Sequence, residues 1–297
     1  MAASFLRKIF EQWNRRLPTI GALDFAFFMV AVVSGVILVL PYDVTAPKDS
    51  LQVMMLTSQG GVFFRSLHYW SAQAFTVLAL LHVIEFLLKK GEEKVSSGLW
   101  IRLSVGIPVI LYVMLSGFIL KGDAEAELAR QIFGGLVEAL PLLGDYLSFI
   151  FLGREGDLQI VYVHHAATAT LFTWIIIIEH VKRFWPDLVS HIYAMGLSIV
   201  FSVIIPASLH SSGDPVVKGP WYFIGFQEIL HWMTRPVLSV AVLVLFLSVF
   251  MGLPKINEKY RSRVKIFFSS MLFIYFIFTI IGWAFRGAGW QFQVPWQ

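Results

Sequence analysis

Four histidines lie inside apolar stretches where ionisable groups are expensive: His68 and His82, fourteen residues apart, and His165 and His180, fifteen apart. An α-helix turns by about 100° per residue, so fourteen residues return to within roughly 40° of the starting face and fifteen to within roughly 60°. His164, sixteen residues from His180, lands nearly opposite it and stands outside the pattern. A rise of ~1.5 Å per residue separates the members of each pair by about 21 Å, most of a bilayer's thickness. Two such helices running in opposite directions can set His68 against His165 at one level and His82 against His180 at another. Each facing pair then offers both axial imidazoles to one haem iron. One intramembrane histidine alone is equally well explained by a hydrogen bond to a neighbouring helix. Four in a double register point to two haems stacked across the membrane.

The elements that must position them are readable from hydropathy. The 297 residues are 57% apolar and only 14% charged, more apolar surface than a soluble core of that size hides. Seven blocks reach the ~20 residues needed to cross the hydrocarbon core: Ile20–Leu40, Leu67–Leu88, Leu103–Leu120, Leu158–Val181, Ile192–Leu209, Val237–Leu253 and Ile266–Phe285. Between the third and fourth, Glu125 to Gly153 is moderately apolar and broken at Pro141, which predicts short surface helices. The segment Met1 to Leu17 carries Arg7, Lys8, Arg15 and Arg16 among apolar residues and predicts an amphipathic surface helix without the features of a cleaved signal peptide. The expected fold class is therefore all-α integral membrane, with seven transmembrane helices, a four-helix dihaem core over 1–186 and a three-helix portion over 187–297.

Charge supports that count. With the amino terminus inside, the inside segments hold Arg7, Lys8, Arg15, Arg16; Lys89, Lys90, Lys94, Arg102; Lys182, Arg183; and Lys255, Lys259, Arg261, Arg263, Lys265, fifteen of the 23 basic residues. The loop between the third and fourth blocks concentrates acids instead. An amino terminus on the cytoplasmic side of a bacterial or archaeal inner membrane is expected. Basic residues scattered between hydrophobic blocks form no stripe for nucleic acid. There is no cysteine, so the chain supplies no disulfide, no thiolate ligand and no iron–sulfur cluster.

The paired histidines on the second and fourth spans resemble those of the cytochrome b subunit of the bc and b/f quinol oxidoreductases, and the fifteen-residue spacing is similar to the b/f branch. Further likeness lies in W-N-R-R-L-P (13–18), A-L-P-L-L-G (139–144) and P-W-Y-F (220–223). The resemblance implies two non-covalent b-type haems with bis-histidine ligation and quinone or quinol as substrate. It also implies a haem-propionate contact for Arg65 and close porphyrin approach at Gly35 and Gly117. Partners so implied are membrane lipid, quinone, and an iron–sulfur (Rieske-type) or cytochrome c subunit within a multi-subunit, dimeric respiratory or photosynthetic complex.

Departures from the family bear on mechanism. Pro220 occupies the place of the glutamate that normally precedes the Trp-Tyr pair, and the third span ends in L-K-G-D (120–123) in place of a Pro-Trp-Gly turn. Oxidising a quinol requires disposal of two protons, which makes Glu228, then Asp123, the candidate acceptors at the outer surface, with Tyr222 and Trp221 as pocket residues. Each acid is more readily explained as a solvated or interfacial residue. Glu85 stands where the family has a basic residue, so the inner haem's propionates would turn to Arg16, Lys182 or Arg183, which also fit as positive-inside anchors. Asp187 and His191 could flank an inner quinone-reducing pocket, although an interfacial imidazole is unremarkable. Rival classes are a haem-bearing anchor linking the quinone pool to a dehydrogenase, hydrogenase or multihaem cytochrome, and a transporter whose histidines relay protons or bind metal.

Overall fold

The structure is a computed structural model that describes residues 17–182, 185–211, 213–233 and 235–294. Arg16, Arg183 and all but the last residue of the expected amino-terminal helix lie outside them. Among the described residues there is no strand, only an isolated bridge between Arg286 and Phe292. Eleven helices carry the argument: α1 Ile20–Val39, α2 Pro47–Thr57, α3 Gly61–Leu88, α4 Ser97–Ile119, α5 Ala124–Glu138, α6 Gly144–Leu152, α7 Gln159–Val181, α8 Leu188–Ile204, α9 Trp221–Trp232, α10 Pro236–Gly252 and α11 Glu258–Ala284.

Six of these, α1, α3, α4, α7, α10 and α11, are long and apolar enough to cross a membrane. The fifth expected block forms α8, whose 17 residues extend about 25 Å. The acidic loop folds as predicted into two short helices, α5 and α6, parted around Pro141. P-W-Y-F opens α9: Pro220 precedes the first turn with extended backbone, where its lack of an N–H costs no helical hydrogen bond. Polar side chains start several helices. Ser96 accepts from Leu99 N at 3.3 Å, Asp123 from Ala126 N at 3.0 Å and Asp187 from Ser190 N at 2.8 Å.

One helix departs from α geometry. In α7, His164–Thr168 form a π-turn, with Ala169 N–H donating to His164 O, five residues back. The Thr170 hydroxyl donates to His165 O at 2.5 Å, so that carbonyl has a partner inside the widened turn.

The chain divides into two compact units, each with its own core. The first contains α1, α2, α3, α8 and the end of α7 from Leu171. Here α1 packs along α3, and α8 covers both. Small and hydroxylated residues, Ala26, Ala31, Ser34, Ser66 and Ser71, are buried, which brings helix backbones close; Ser34, Ser66 and Ser71 return their hydroxyls to carbonyls of the preceding turn. Phe25 stacks on Trp174 at 5.3 Å and Phe28 meets Phe75 at 5.1 Å. The second unit contains α4, α5, α6, the start of α7, α9, α10 and α11. Trp100 donates to Phe250 O at 2.8 Å, tying α4 to α10, while Glu92 and Glu93 pair with Lys265 and Arg261 of α11.

Candidate metal centre

Two of the four histidines are seated by the same device. The His68 Nδ1–H donates to Ala31 O at 2.8 Å with the Ser34 hydroxyl 3.5 Å away, and a β-carbon built on Gly35 would come 3.0 Å from His68 Cε1. In the second unit His165 Nδ1–H donates to Val113 O at 3.0 Å beside Ser116 Oγ at 3.3 Å, and a β-carbon on Gly117 would come 2.6 Å from its Cε1. Each Ser-Gly pair thus combines a carbonyl four residues before the glycine, a hydroxyl, and bare backbone for the ring to rest on. With Nδ1 donating to a carbonyl, the tautomer is fixed and Nε2 is the unprotonated nitrogen, the one whose chemistry suits metal ligation.

At the other level, His82 lies against Gly21, where a β-carbon would come 2.9 Å from Cε1. Its ring centroid is 6.0 Å from that of His180. With metal–imidazole bonds of about 2 Å, two imidazoles sharing one metal ion hold their centroids about 6 Å apart, so this spacing fits an iron between them. Among the described residues no group of three or more His, Cys, Asp or Glu could hold a bare ion. Paired imidazoles with a macrocycle supplying the other donors suit these histidines better than a naked cation does.

The π-turn brings His165 and His180 into register. One residue is absorbed by the widened turn, so a fifteen-residue separation acts as fourteen in regular helix and leaves the roughly 40° offset that His68 and His82 have on α3. His164 points elsewhere: its Nε2–H donates to Ile150 O of α6 at 2.8 Å, and its ring meets Tyr112 at 5.8 Å and Phe151 at 6.5 Å.

Valine at Gly117 is expected to push His165 off Val113 O and remove one haem of two. Gly98→Ala, at a position with nothing within 4 Å of the added carbon, should leave both; haem content of the purified proteins checks this.

The other predicted site residues separate into groups. Arg65 is buried, and its guanidinium donates to Ala207 O and, at 3.1 Å, to Ser208 O. Asp187 caps α8 and His191 Nδ1–H donates to its carbonyl at 2.9 Å, so these two share one helical turn. Lys182 is exposed at the end of α7. Tyr222 is buried and its carbonyl accepts from Tyr275 Oη at 2.6 Å, while Trp221 stands edge-on to it at 5.6 Å and stays partly exposed.

Both candidate proton acceptors are held by other groups. Asp123 accepts from Ala126 N and, at 2.9 Å, from His210 N, and lies 3.1 Å from Lys121 Nζ. Burial raises its pKa, but the two main-chain N–H groups and the Lys121 ammonium outweigh that and hold the carboxyl below its usual range. A depressed folded pKa gives stability that is complete above the unfolded value and is lost as pH falls through the folded one. Thermal unfolding in detergent followed from about pH 6 to about pH 3 should therefore show acid destabilisation that Asp123→Asn reduces.

Glu228 is fully buried and accepts from Arg286 Nη2 at 2.6 Å and Nε at 2.9 Å, and from the indole N–H groups of Trp232 and Trp290, each at 2.8 Å. Burial pushes its pKa up, and these donors more than reverse it. With four donors on two oxygens, Glu228 works as an anchor and could take a substrate proton only by giving up its ion pair.

Two residues not singled out from the sequence belong to this description. Gly21 precedes Gly35 by fourteen residues, the His68–His82 interval, and that repeat was its available signal. Asp24, one turn further along α1, keeps a buried Oδ1 that accepts no hydrogen bond among the described residues. A lone acid in so apolar a span was visible in the sequence as well.

A family model described as cytochrome b/b6/petB matches residues 11–185, a stretch that includes all four histidines. Cytochrome b6 of Cyanidium caldarium is 27% identical over 154 residues, 51% of this chain and 72% of that protein. The cytochrome b6 of Auxenochlorella protothecoides is 25% identical over 166 residues, 54% and 77% of the two chains. Among solved structures, a chain of a hyperthermophilic respiratory Complex III has the same fold, with a TM-score of 0.69 at 18% identity over 93% of this chain and 84% of that one.

Proposed function

The chain belongs to the cytochrome b/b6/petB family, a multi-pass integral membrane family that binds b-type haem, and from that premise we propose that it is a dihaem electron carrier between an outer quinol or redox-partner site and an inner quinone site. α8 supplies the seventh crossing. The observation that carries the reading is the 6.0 Å separation of the His82 and His180 rings, a spacing suited to one shared iron.

Bound b-type haem supplies one-electron redox chemistry. The residues fix where it sits. His82 and His180 would hold the inner haem, and His68 and His165 the outer one; Gly21, Gly35 and Gly117 let the imidazole rings lie against the main chain. Arg65 places a cation at the level of His68, suited to a propionate once it turns from the carbonyls it now holds. At the inner side, reducing a quinone consumes two electrons and two protons, and Asp24, Asp187 and His191 are the groups able to hold protons there. Trp221 and Tyr222 line the outer pocket.

A second reading has its own support. Pro220 replaces the family's glutamate, and both Asp123 and Glu228 are committed to other donors. With both named candidates committed to other donors, electron entry from a docked iron–sulfur or cytochrome partner is favoured over quinol oxidation with two divergent electron paths.

Purification in mild detergent followed by reduced-minus-oxidised spectroscopy tests the proposal. Two haems per chain with b-type alpha bands are expected, and a colourless protein overturns it. Identification of the co-purifying subunits separates the two readings, because a Rieske-type partner favours quinol oxidation and its absence favours the second.

A further inference from the structure

We propose that Glu85 is a positioning residue for the inner haem, giving His82 a carboxylate partner where the outer ligands His68 and His165 have main-chain carbonyls. The inference rests on the dihaem reading above. It starts from an asymmetry among the imidazoles: His68 and His165 commit Nδ1 to Ala31 O and Val113 O at 2.8 and 3.0 Å, whereas His82 Nδ1 is buried and has no hydrogen-bond partner among the described residues. Glu85 Oε2 lies 3.5 Å from it, one turn along α3. The other carboxylate oxygen, Oε1, accepts from Lys89 Nζ at 2.5 Å. Positions 82, 85 and 89 share one face of α3, so imidazole, carboxylate and ammonium form a single row.

Once His82 Nε2 binds iron, Nδ1 carries the ring's proton and must donate. Glu85 is the acceptor within reach. A carboxylate in that position increases the basicity of the ligand and adds a negative charge near the metal, which favours the ferric over the ferrous state and lowers the reduction potential. Lys89, paired to the same carboxylate, partly offsets that charge. A haem held by His82 would therefore take up its one electron beside the Glu85 carboxylate, whereas His68 and His165 direct Nδ1 to the neutral carbonyls of Ala31 and Val113. The carboxylate's effect is to keep the inner haem reducing enough to pass that electron on to a quinone.

Potentiometric titration of both haems in the purified, haem-loaded protein tests this, with electron paramagnetic resonance of the ferric states as a second readout. Glu85→Gln should shift the sharing of electrons between the haems about tenfold toward the inner one, about 59 mV for a one-electron couple, with the outer haem unmoved. Glu85→Asp, which keeps the charge, should show a smaller shift, and the signal of the inner ferric haem should move in step with the potential. Lys89→Met, at an exposed side chain, should shift the inner haem in the opposite direction by leaving the Glu85 charge uncompensated. Unmoved potentials in Glu85→Gln, equal shifts of both haems, or an upward shift in Lys89→Met would overturn the assignment. A wild-type protein carrying fewer than two haems overturns the dihaem reading first, and is recognised before any variant is compared.

Discussion

His165→Leu is expected to leave a protein with one haem, the inner one, whereas His164→Leu leaves both. The two residues are neighbours in sequence, yet they do different work. His165 Nδ1 is tied to Val113 O and its ring rests on Gly117, which makes Nε2 the unprotonated nitrogen suited to metal ligation. The His164 ring is spent on Ile150 O and on packing against Tyr112 and Phe151. Removing the His164 hydrogen bond costs about 1 kcal/mol, too little to empty a haem site. Haem quantification per chain, with the alpha bands resolved at low temperature, separates the outcomes. Loss of haem from the His164 variant with retention in the His165 variant would reverse the assignment of these two side chains.

Glu228→Gln is expected to cost about 3 kcal/mol of stability, because it leaves the Arg286 guanidinium buried without its counter-charge. Adding Arg286→Met should restore much of that loss, since removing both charges also removes the desolvation cost. Thermal unfolding in detergent measures both effects. Electron transfer from a quinol analogue then tests the role: an anchor predicts that the folded double variant keeps turnover, while a proton acceptor predicts a folded but inactive protein.

The parts of this site legible in the sequence are those governed by local helical geometry. His68 and His82 announced themselves because fourteen residues nearly close four turns, and the Glu85–Lys89 pair follows from i, i+4 spacing. His165 and His180 were harder, since a fifteen-residue interval in regular helix leaves a roughly 60° offset that the π-turn brings to the roughly 40° of His68 and His82. Such a turn has no clear signal in V-H-H-A-A-T. The role of Glu228 was hidden for another reason. Its guanidinium lies 58 residues further on and its second indole 62, and contacts at that range depend on how α9 meets the end of α11, which periodicity does not encode. Helix α9 lies outside the seven blocks read from hydropathy because its 12 residues are too few to cross a bilayer, although the apolar run after Pro220 suits a short amphipathic helix.

The widened turn at His164–Thr168 also bears on how this scaffold tolerates changes in length. A single added residue in a ligand-bearing span would ordinarily swing every following side chain by about 100° and strand the second imidazole. Here the bulge takes up that residue within one turn, so excising Ala166 or Ala167 should yield an ordinary helix with its two ligands still aligned. A one-residue deletion at this spot is thus near neutral for cofactor capture, whereas a further insertion would meet the full 100° swing.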